Sequence, residues 1–188
     1  WTQSPIRCTQ NPTMGEEWRR GWHPEIIEQR GESEKMLVVG AGPAGLEAAM
    51  SLGQRGYEVT LADDGDGGGR AVCESGLPGL ASYKRVSDYR LGQIAKLANV
   101  SFFPGSEMDR ETVLEFGADQ VLIAAGAKWR VDGLGRATHA PIPGIGDHPQ
   151  CFTPDDIMAG QLPSADTVLV YDDDHYYMGG VIAQLLAD

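Results

Sequence analysis

The chain has 188 residues, 41% of them hydrophobic, with 27 acidic against 15 basic side chains and a formal net charge of −12. That length holds one domain with a substantial core, or one domain and a piece of another. The acidic balance argues against a nucleic-acid partner, because no basic stripe neutralises phosphates. No apolar run approaches the roughly 20 residues that cross a bilayer, which argues against a membrane partner.

Cys8, Cys73 and Cys151 are far apart and form no C-x-x-C pattern. They do not read as a disulfide framework, so a reducing cytoplasm is the expected setting. No secretory signal is visible, and the chain begins at Trp1 rather than Met.

Residues 1–32 read as an N-terminal arm, broken by Pro5, Pro12, Gly15, Gly21 and Pro24. Trp18 and Trp22 are four apart, so one helical turn places both indoles on one face, where they pack on a neighbour. Residues 36–63 form a βαβ pattern. Met36–Val39 is a short buried strand, and Gly40-x-Gly42-x-x-Gly45 is the dinucleotide fingerprint. Gly40 permits the sharp turn, Gly42 lets the backbone approach a pyrophosphate, and Gly45 lets the helix pack closely on the strand. The pyrophosphate then sits on the free N–H groups at the helix start, beside Pro43 and Ala44.

Ala44, Ala48 and Leu52 recur at helical spacing, and Gly53 and Gly56 are expected to end that helix. Tyr57–Ala62 alternates as a strand and closes at Asp63, roughly 20 residues past the first glycine, where a carboxylate bonds the adenosine ribose. The run Asp64–Arg70 carries two readings: a diphosphate wrap with Gly69 and Arg70, or a flexible loop.

A helix is expected across 81–98, with Leu91, Ile94, Ala95 and Ala98 on its apolar face. Val100–Phe103 is the next strand, Thr112–Phe116 a short helix stopped by Gly117, and Gln120–Ala127 a buried strand. That last strand ends in Ala124, Ala125 and Gly126, residues small enough to pass a nucleotide or another backbone. Residues 131–163 are rich in Gly and Pro, but Thr153-Pro-Asp-Asp156 is a helix start.

Thr167–Tyr171 and Val181–Leu186 read as a second strand–turn–helix unit. Its turn carries Asp172, Asp173 and Asp174 where a pyrophosphate would go, so nucleotide binding is expected to be lost there. A metal site from that acidic run is the weaker reading beside a solvated turn. The expected organisation is an arm at 1–32, a Rossmann-like α/β domain with a parallel sheet at 33–163, and a truncated second nucleotide-type domain from 164 to 188. The incomplete βα unit at the end and the missing initiator Met suggest a fragment of a longer protein.

The order of these segments resembles the trimethylamine dehydrogenase family of iron–sulfur flavoproteins, which includes dimethylamine and histamine dehydrogenases and N-methyl amino acid demethylases. The resemblance rests on Ile6-Arg-Cys8-Thr-Gln-Asn11 and on Gly15-Glu-Glu-Trp-Arg-Arg-Gly-Trp-His23-Pro24. The Gly40 fingerprint, Ala124-Ala-Gly126-Ala-Lys128-Trp129, Pro141-Ile-Pro-Gly144, Thr153-Pro154 and the Asp172–Gly180 turn extend it. It implies an N-terminal (β/α)8 barrel bearing FMN, a [4Fe-4S] segment and two nucleotide-type domains.

By this resemblance Cys8 is the last of four cluster cysteines, the other three lying upstream of Trp1. The residues implied to hold ADP or FAD are Gly40, Gly42, Pro43, Ala44, Gly45, Asp63, Gly69, Arg70, Ala125 and Gly126. Two departures touch that pocket: the Asp64–Gly67 loop is slightly short, and Ala125 stands where the family often has Thr. The implied activity is dehydrogenation or demethylation of small amines, with electrons passed to a carrier such as an electron-transfer flavoprotein. The implied assembly is a homodimer when full length, and this part is expected to be inactive alone. The alternatives are an enoate or dienoyl-CoA reductase of similar architecture and a non-catalytic nucleotide-binding module. No catalytic residue is assigned; His23, His139, His148 and His175 each stand alone in the sequence.

Overall fold

A computed structural model describes residues 8, 10–11, 13–15, 27–30, 34–146 and 148–187. The chain forms two compact units: Trp1–Ala71 with Lys84–Ala125, and Val72–Tyr83 with Gly126–Asp188. The Trp18 and Trp22 pair, and the motif residues Ile6, Thr9 and Glu16–Pro24, lie outside the described residues.

The first unit is built on four parallel strands: β1 (Lys35–Val39), β2 (Glu58–Ala62), β3 (Val100–Phe103) and β4 (Gln120–Ile123). Their order is β3-β2-β1-β4, the Rossmann-like arrangement the fingerprint predicts. Met36, Leu37 and Val38 are all buried, as an inner parallel strand covered on both faces requires. Helix α1 (Pro43–Gln54) carries the chain from β1 to β2. Its buried stripe is Gly45, Leu46, Ala49, Met50 and Gly53.

That stripe differs from the Ala44, Ala48, Leu52 face expected from spacing. Ala44 is exposed, while Ala48 and Leu52 only border the core. The shift follows from the glycines, which let the helix backbone itself approach the sheet. Gly53 lies inside the helix rather than ending it. A Cβ there would stand 2.3 Å from Val100 Cγ2. Gly56, at φ +93°, makes the turn into β2.

Helix α2 (Gly69–Glu74) and a 3₁₀ turn at Ala81–Tyr83 precede helix α3 (Lys84–Ile94). Because α3 stops at Ile94, Ala95 and Ala98 are exposed instead of continuing its apolar face. Met36, Val38, Leu46, Ala49, Met50, Val59, Leu61 and Ile94 share one core. Arg90 of α3 is buried in it and fully engaged. Its Nε pairs with Glu47 Oε2 of α1 at 2.6 Å, and its Nη1 donates to Val86 O at 2.8 Å. Helix α4 (Arg110–Glu115) starts at Asp109, whose carboxylate accepts the Thr112 N–H at 2.8 Å.

Val39 is the register partner of both Ala62 and Ile123, and Ala62 of Phe103, so the carboxyl ends of the strands lie level. The chain runs from β1 outward to β2 and β3, then returns to place β4 on the other side of β1. The carboxyl end of β1 is therefore the point where strand order reverses, the position where open α/β sheets bind ligands.

The second unit packs Leu77 with Ile157 of helix α5 (Pro154–Met158) and with Met178 and Ile182 of helix α6 (Tyr177–Ala187). The expected helix start at Thr153 is a full capping box: Thr153 Oγ1 accepts the Asp156 N–H at 3.2 Å, and Asp156 Oδ2 accepts the Thr153 N–H at 2.7 Å. The stretch 167–171, expected as a strand, forms none. No strand lies in this unit among the described residues to pair with it, and Leu169 is 92% exposed. Glu74, buried, accepts the Tyr177 hydroxyl at 2.7 Å. Burial first, then the Glu74 carboxylate, hold the Tyr177 phenol protonated with its pKa pushed up.

Two outcomes follow from these contacts. Tyr177→Phe leaves Glu74 buried without its hydroxyl donor, a loss of about 1–3 kcal/mol, so amide protection across α6 should fall roughly tenfold or more in hydrogen exchange. The Thr153 N–H, and secondarily its hydroxyl, hold the Asp156 carboxyl below its ordinary range. The native state then binds fewer protons than the unfolded one. The stabilisation is complete above the unfolded value of about 3.9 and is lost as pH falls through the lowered native value. An NMR titration should show α5 loosening only in that acid window, and Asp156→Asn should remove the pH dependence.

Candidate functional site

The turn after β1 is made by contacts that leave no room for side chains. Gly40 sits at φ +98°, and its N–H donates to Ala62 O at 2.8 Å. A Cβ on Gly40 would stand 2.4 Å from Ala124 O. Gly45, the third residue of α1, lies against the same turn: a Cβ there would be 1.8 Å from Gly40 O. Ala124 thus serves as the small residue beside another backbone, its own N–H donating to Val39 O at 2.7 Å.

Gly42 differs in kind. It is the N-cap of α1 at φ −69° and ψ 179°, a conformation open to any residue, and a Cβ on it would meet nothing within 4 Å. The folded chain does not require glycine there. No side chain caps α1, and Pro43 at its first position has no N–H. The Ala44 and Gly45 N–H groups have no intrahelical carbonyl to reach, so the helix start presents donors and a positive dipole end beside the open space.

Asp63 closes β2 and ties the turn together. Its Oδ2 accepts the Ala41 N–H at 2.5 Å and its Oδ1 the Gly65 N–H at 2.8 Å. Each oxygen keeps a lone pair for a further donor, such as a ribose hydroxyl. The glycine run is a built loop rather than a loose one. Gly67, Gly68 and Gly69 are all left-handed, at φ +84°, +94° and +52°. The Gly68 N–H donates to Ala41 O at 2.7 Å, and a Cβ on Gly69 would stand 2.9 Å from Gly42 Cα. Arg70 follows, half-buried, in the first turn of α2.

The structure therefore gathers Gly40, Gly42, Pro43, Ala44, Gly45, Asp63 and Gly69 around one turn. Ala125 stands beyond the end of β4 and lines an open groove of about 430 Å3 with Val39, Met108, Val113, Leu114 and Ile123. Gly126 belongs to the second unit. Gly68 belongs to the glycine run that the sequence offers as a diphosphate wrap, and successive glycines invite its positive φ. One residue escaped the sequence reading. Ser87, buried on α3 with its hydroxyl on Gly68 O at 3.2 Å, carries no sequence signal.

Cys8 is half-buried, and the backbone N–H groups of Gln10 and then Asn11 hold its thiol below the usual value. Among the described residues no group of three or more His, Cys, Asp or Glu side chains could hold a metal ion. The donor set present does not by itself fit a four-iron cluster, which needs four thiolates. All three cysteines are free.

Residues 34–165 match the family model described as Pyridine nucleotide-disulphide oxidoreductase. The chain belongs to that family. Dimethylamine dehydrogenase of Hyphomicrobium sp. (strain x) is 39% identical, with 97% of this chain and 26% of that protein covered. The 6-hydroxypseudooxynicotine amine oxidase of Pseudomonas geniculata N1 superposes with a TM-score of 0.91 at 50% identity, over 97% of this chain and 27% of that one. Histamine dehydrogenase from Rhizobium sp. 4-9 superposes with a TM-score of 0.87 at 52% identity, covering 96% and 27%. The chain thus spans about a quarter of the length of these relatives. The family resemblance drawn from the motifs is confirmed: the relatives are amine dehydrogenases and an amine oxidase. Among the described residues, no helix is long and apolar enough to cross a membrane.

Gly42 separates binding from folding. Gly42→Val should leave the thermal transition within a few degrees of wild type, since a Cβ at Gly42 meets nothing within 4 Å and its φ and ψ suit any residue. It should also abolish ADP binding in calorimetric titration. Gly45→Ala should destabilise the first unit instead, by roughly 1–3 kcal/mol for overpacking.

Proposed function

We propose that residues 1–188 form the ADP- or FAD-binding portion of a flavin-dependent oxidoreductase that dehydrogenates or demethylates small amines and passes the electrons to an external carrier. The observation that carries the amine reading is the likeness over 97% of the chain, through both units, to a dimethylamine dehydrogenase and to an amine oxidase. The observation that carries the nucleotide reading is the open space over Gly42 beside an uncapped helix start.

In this reading the diphosphate lies over Gly42 on the donors of Ala44 and Gly45. Asp63 takes the ribose hydroxyls with its remaining lone pairs, while Gly69 and Arg70 border the diphosphate. Gly40 and Pro43 shape the turn, and Ala125 and Gly126 lead away from β4 on the side of the nucleotide's far end. The nucleotide supplies binding energy and, as FAD, a redox-active isoalloxazine; this chain's residues bind and orient it. The substrate-oxidising FMN barrel belongs to the remaining length of the protein, and Cys8 is one ligand of a [4Fe-4S] cluster whose other ligands lie outside residues 1–188. The assembly is a cytoplasmic homodimer served by an electron-transfer flavoprotein or a similar carrier.

Anaerobic mixing of the full-length protein with methylated amines or with NADPH tests the activity. Amines should bleach the flavin absorbance within seconds while NADPH leaves it unchanged. Bleaching by NADPH alone would instead establish the reductase alternative.

A further inference from the structure

Three residues of α3 are buried: Ser87, Arg90 and Ile94. Their spacing puts them on one face of the helix, and two of them are polar. A buried polar side chain is costly unless it is bonded, so the partner of each matters. Ile94 joins the apolar core, and Arg90 is spent on Glu47 of α1. Ser87, at 0% exposure, reaches out of its own helix. Its hydroxyl donates to the carbonyl of Gly68, 19 residues earlier, at 3.2 Å. A helical serine otherwise points to solvent or bonds the carbonyl four residues back.

Gly68 is the middle of the run Gly67–Gly69, and its two peptide bonds are held from different sides. The peptide before it is fixed by the Gly68 N–H, which donates to Ala41 O at 2.7 Å. The peptide after it has its carbonyl on Ser87. Gly68 is buried, whereas Gly69 is exposed and lies against Gly42: a Cβ on Gly69 would stand 2.9 Å from Gly42 Cα. In a trans peptide the C=O and the following N–H point in opposite directions, and the described chain has no cis peptide. With Gly68 O turned inward to α3, the Gly69 N–H is turned away from α3, on the exposed side of the same peptide plane. The glycines alone do not fix this orientation. Glycine takes positive and negative φ with similar ease, so a peptide between two of them flips at little cost. Ser87 supplies the preference, because a flip would strip its buried hydroxyl of an acceptor.

We propose that Ser87 is a positioning residue for the nucleotide: by holding Gly68 O, it keeps the Gly69 N–H facing the diphosphate over Gly42. This rests on the nucleotide reading of the first unit and deepens it. It assigns the glycine run to one part of the ligand, the diphosphate, while Asp63 serves the adenosine at the end of β2. Without the Ser87 hydroxyl the Gly68–Gly69 peptide turns to give its carbonyl to water, and the donor facing the diphosphate goes with it.

The test titrates the full-length protein, freed of nucleotide, with ADP and with adenosine, which lacks the diphosphate. Ser87→Ala should weaken ADP binding about tenfold in calorimetry and leave adenosine binding unchanged. Ser87→Cys keeps a weaker donor and should lose less; it carries the test if the alanine variant does not fold. ADP affinity equal to wild type in both variants overturns the proposal and leaves the nucleotide reading standing. Equal losses for ADP and adenosine overturn it too, because they give Ser87 a general part in the fold rather than a part in holding the diphosphate. A wild-type protein that binds neither ligand refutes the nucleotide reading itself, and the proposal with it.

Discussion

The contact on which the first unit depends is backbone against backbone. Gly45 of α1 lies so close to the Gly40 carbonyl that a single added carbon would sit 1.8 Å from it. That approach brings α1 down onto β1, lets Leu46, Ala49 and Met50 reach the core, and aims the helix start at the carboxyl end of the sheet. Ala124 closes the same contact from β4. Three chain segments meet there with almost no side-chain volume, so the turn has no freedom to adopt another shape.

Around this contact the polar groups are arranged so that the turn holds itself and still leaves donors outward. Asp63 ties Ala41 and Gly65, Gly68 ties back to Ala41, and Ser87 holds Gly68 from α3. Arg90 and Glu47 fix α3 to α1 beneath. What remains unused is the first turn of α1 and the space over Gly42. A preorganised anion site of this kind loses little entropy when it binds, because its donors are already in place. In the second unit the Asp172 carboxylate instead accepts the N–H groups of Asp174 and His175 in the turn before α6.

Much of this was legible in the residues. The fingerprint, the order of strands and helices in the first unit, the Thr153 cap and the Gly117 stop all follow from local chemistry acting over a few residues, and the structure has them. Misreadings occurred where a distant partner decides the outcome. Gly53 reads as a helix stop, but Val100 makes it a packing residue. Thr167–Tyr171 reads as a strand by its apolar run, yet a strand is a pairing and no neighbour among the described residues pairs with it. Ala95 and Ala98 fit a helical face that ends before reaching them.

The sequence by itself determined the chemistry on offer: glycines where a phosphate can come close, a carboxylate at the end of β2, and an acidic run in place of a second glycine turn. Spacing carries that information because strand, turn and helix are each short-range objects. Tertiary structure alone decided which of those groups are already spent. Gly40 and Gly45 are required by the protein's own packing while Gly42 is not, and Asp172 turns into its helix while Asp173 bonds Ala137. Such distinctions depend on what else occupies the space around an atom, and that is settled only when segments far apart in the chain are brought into contact.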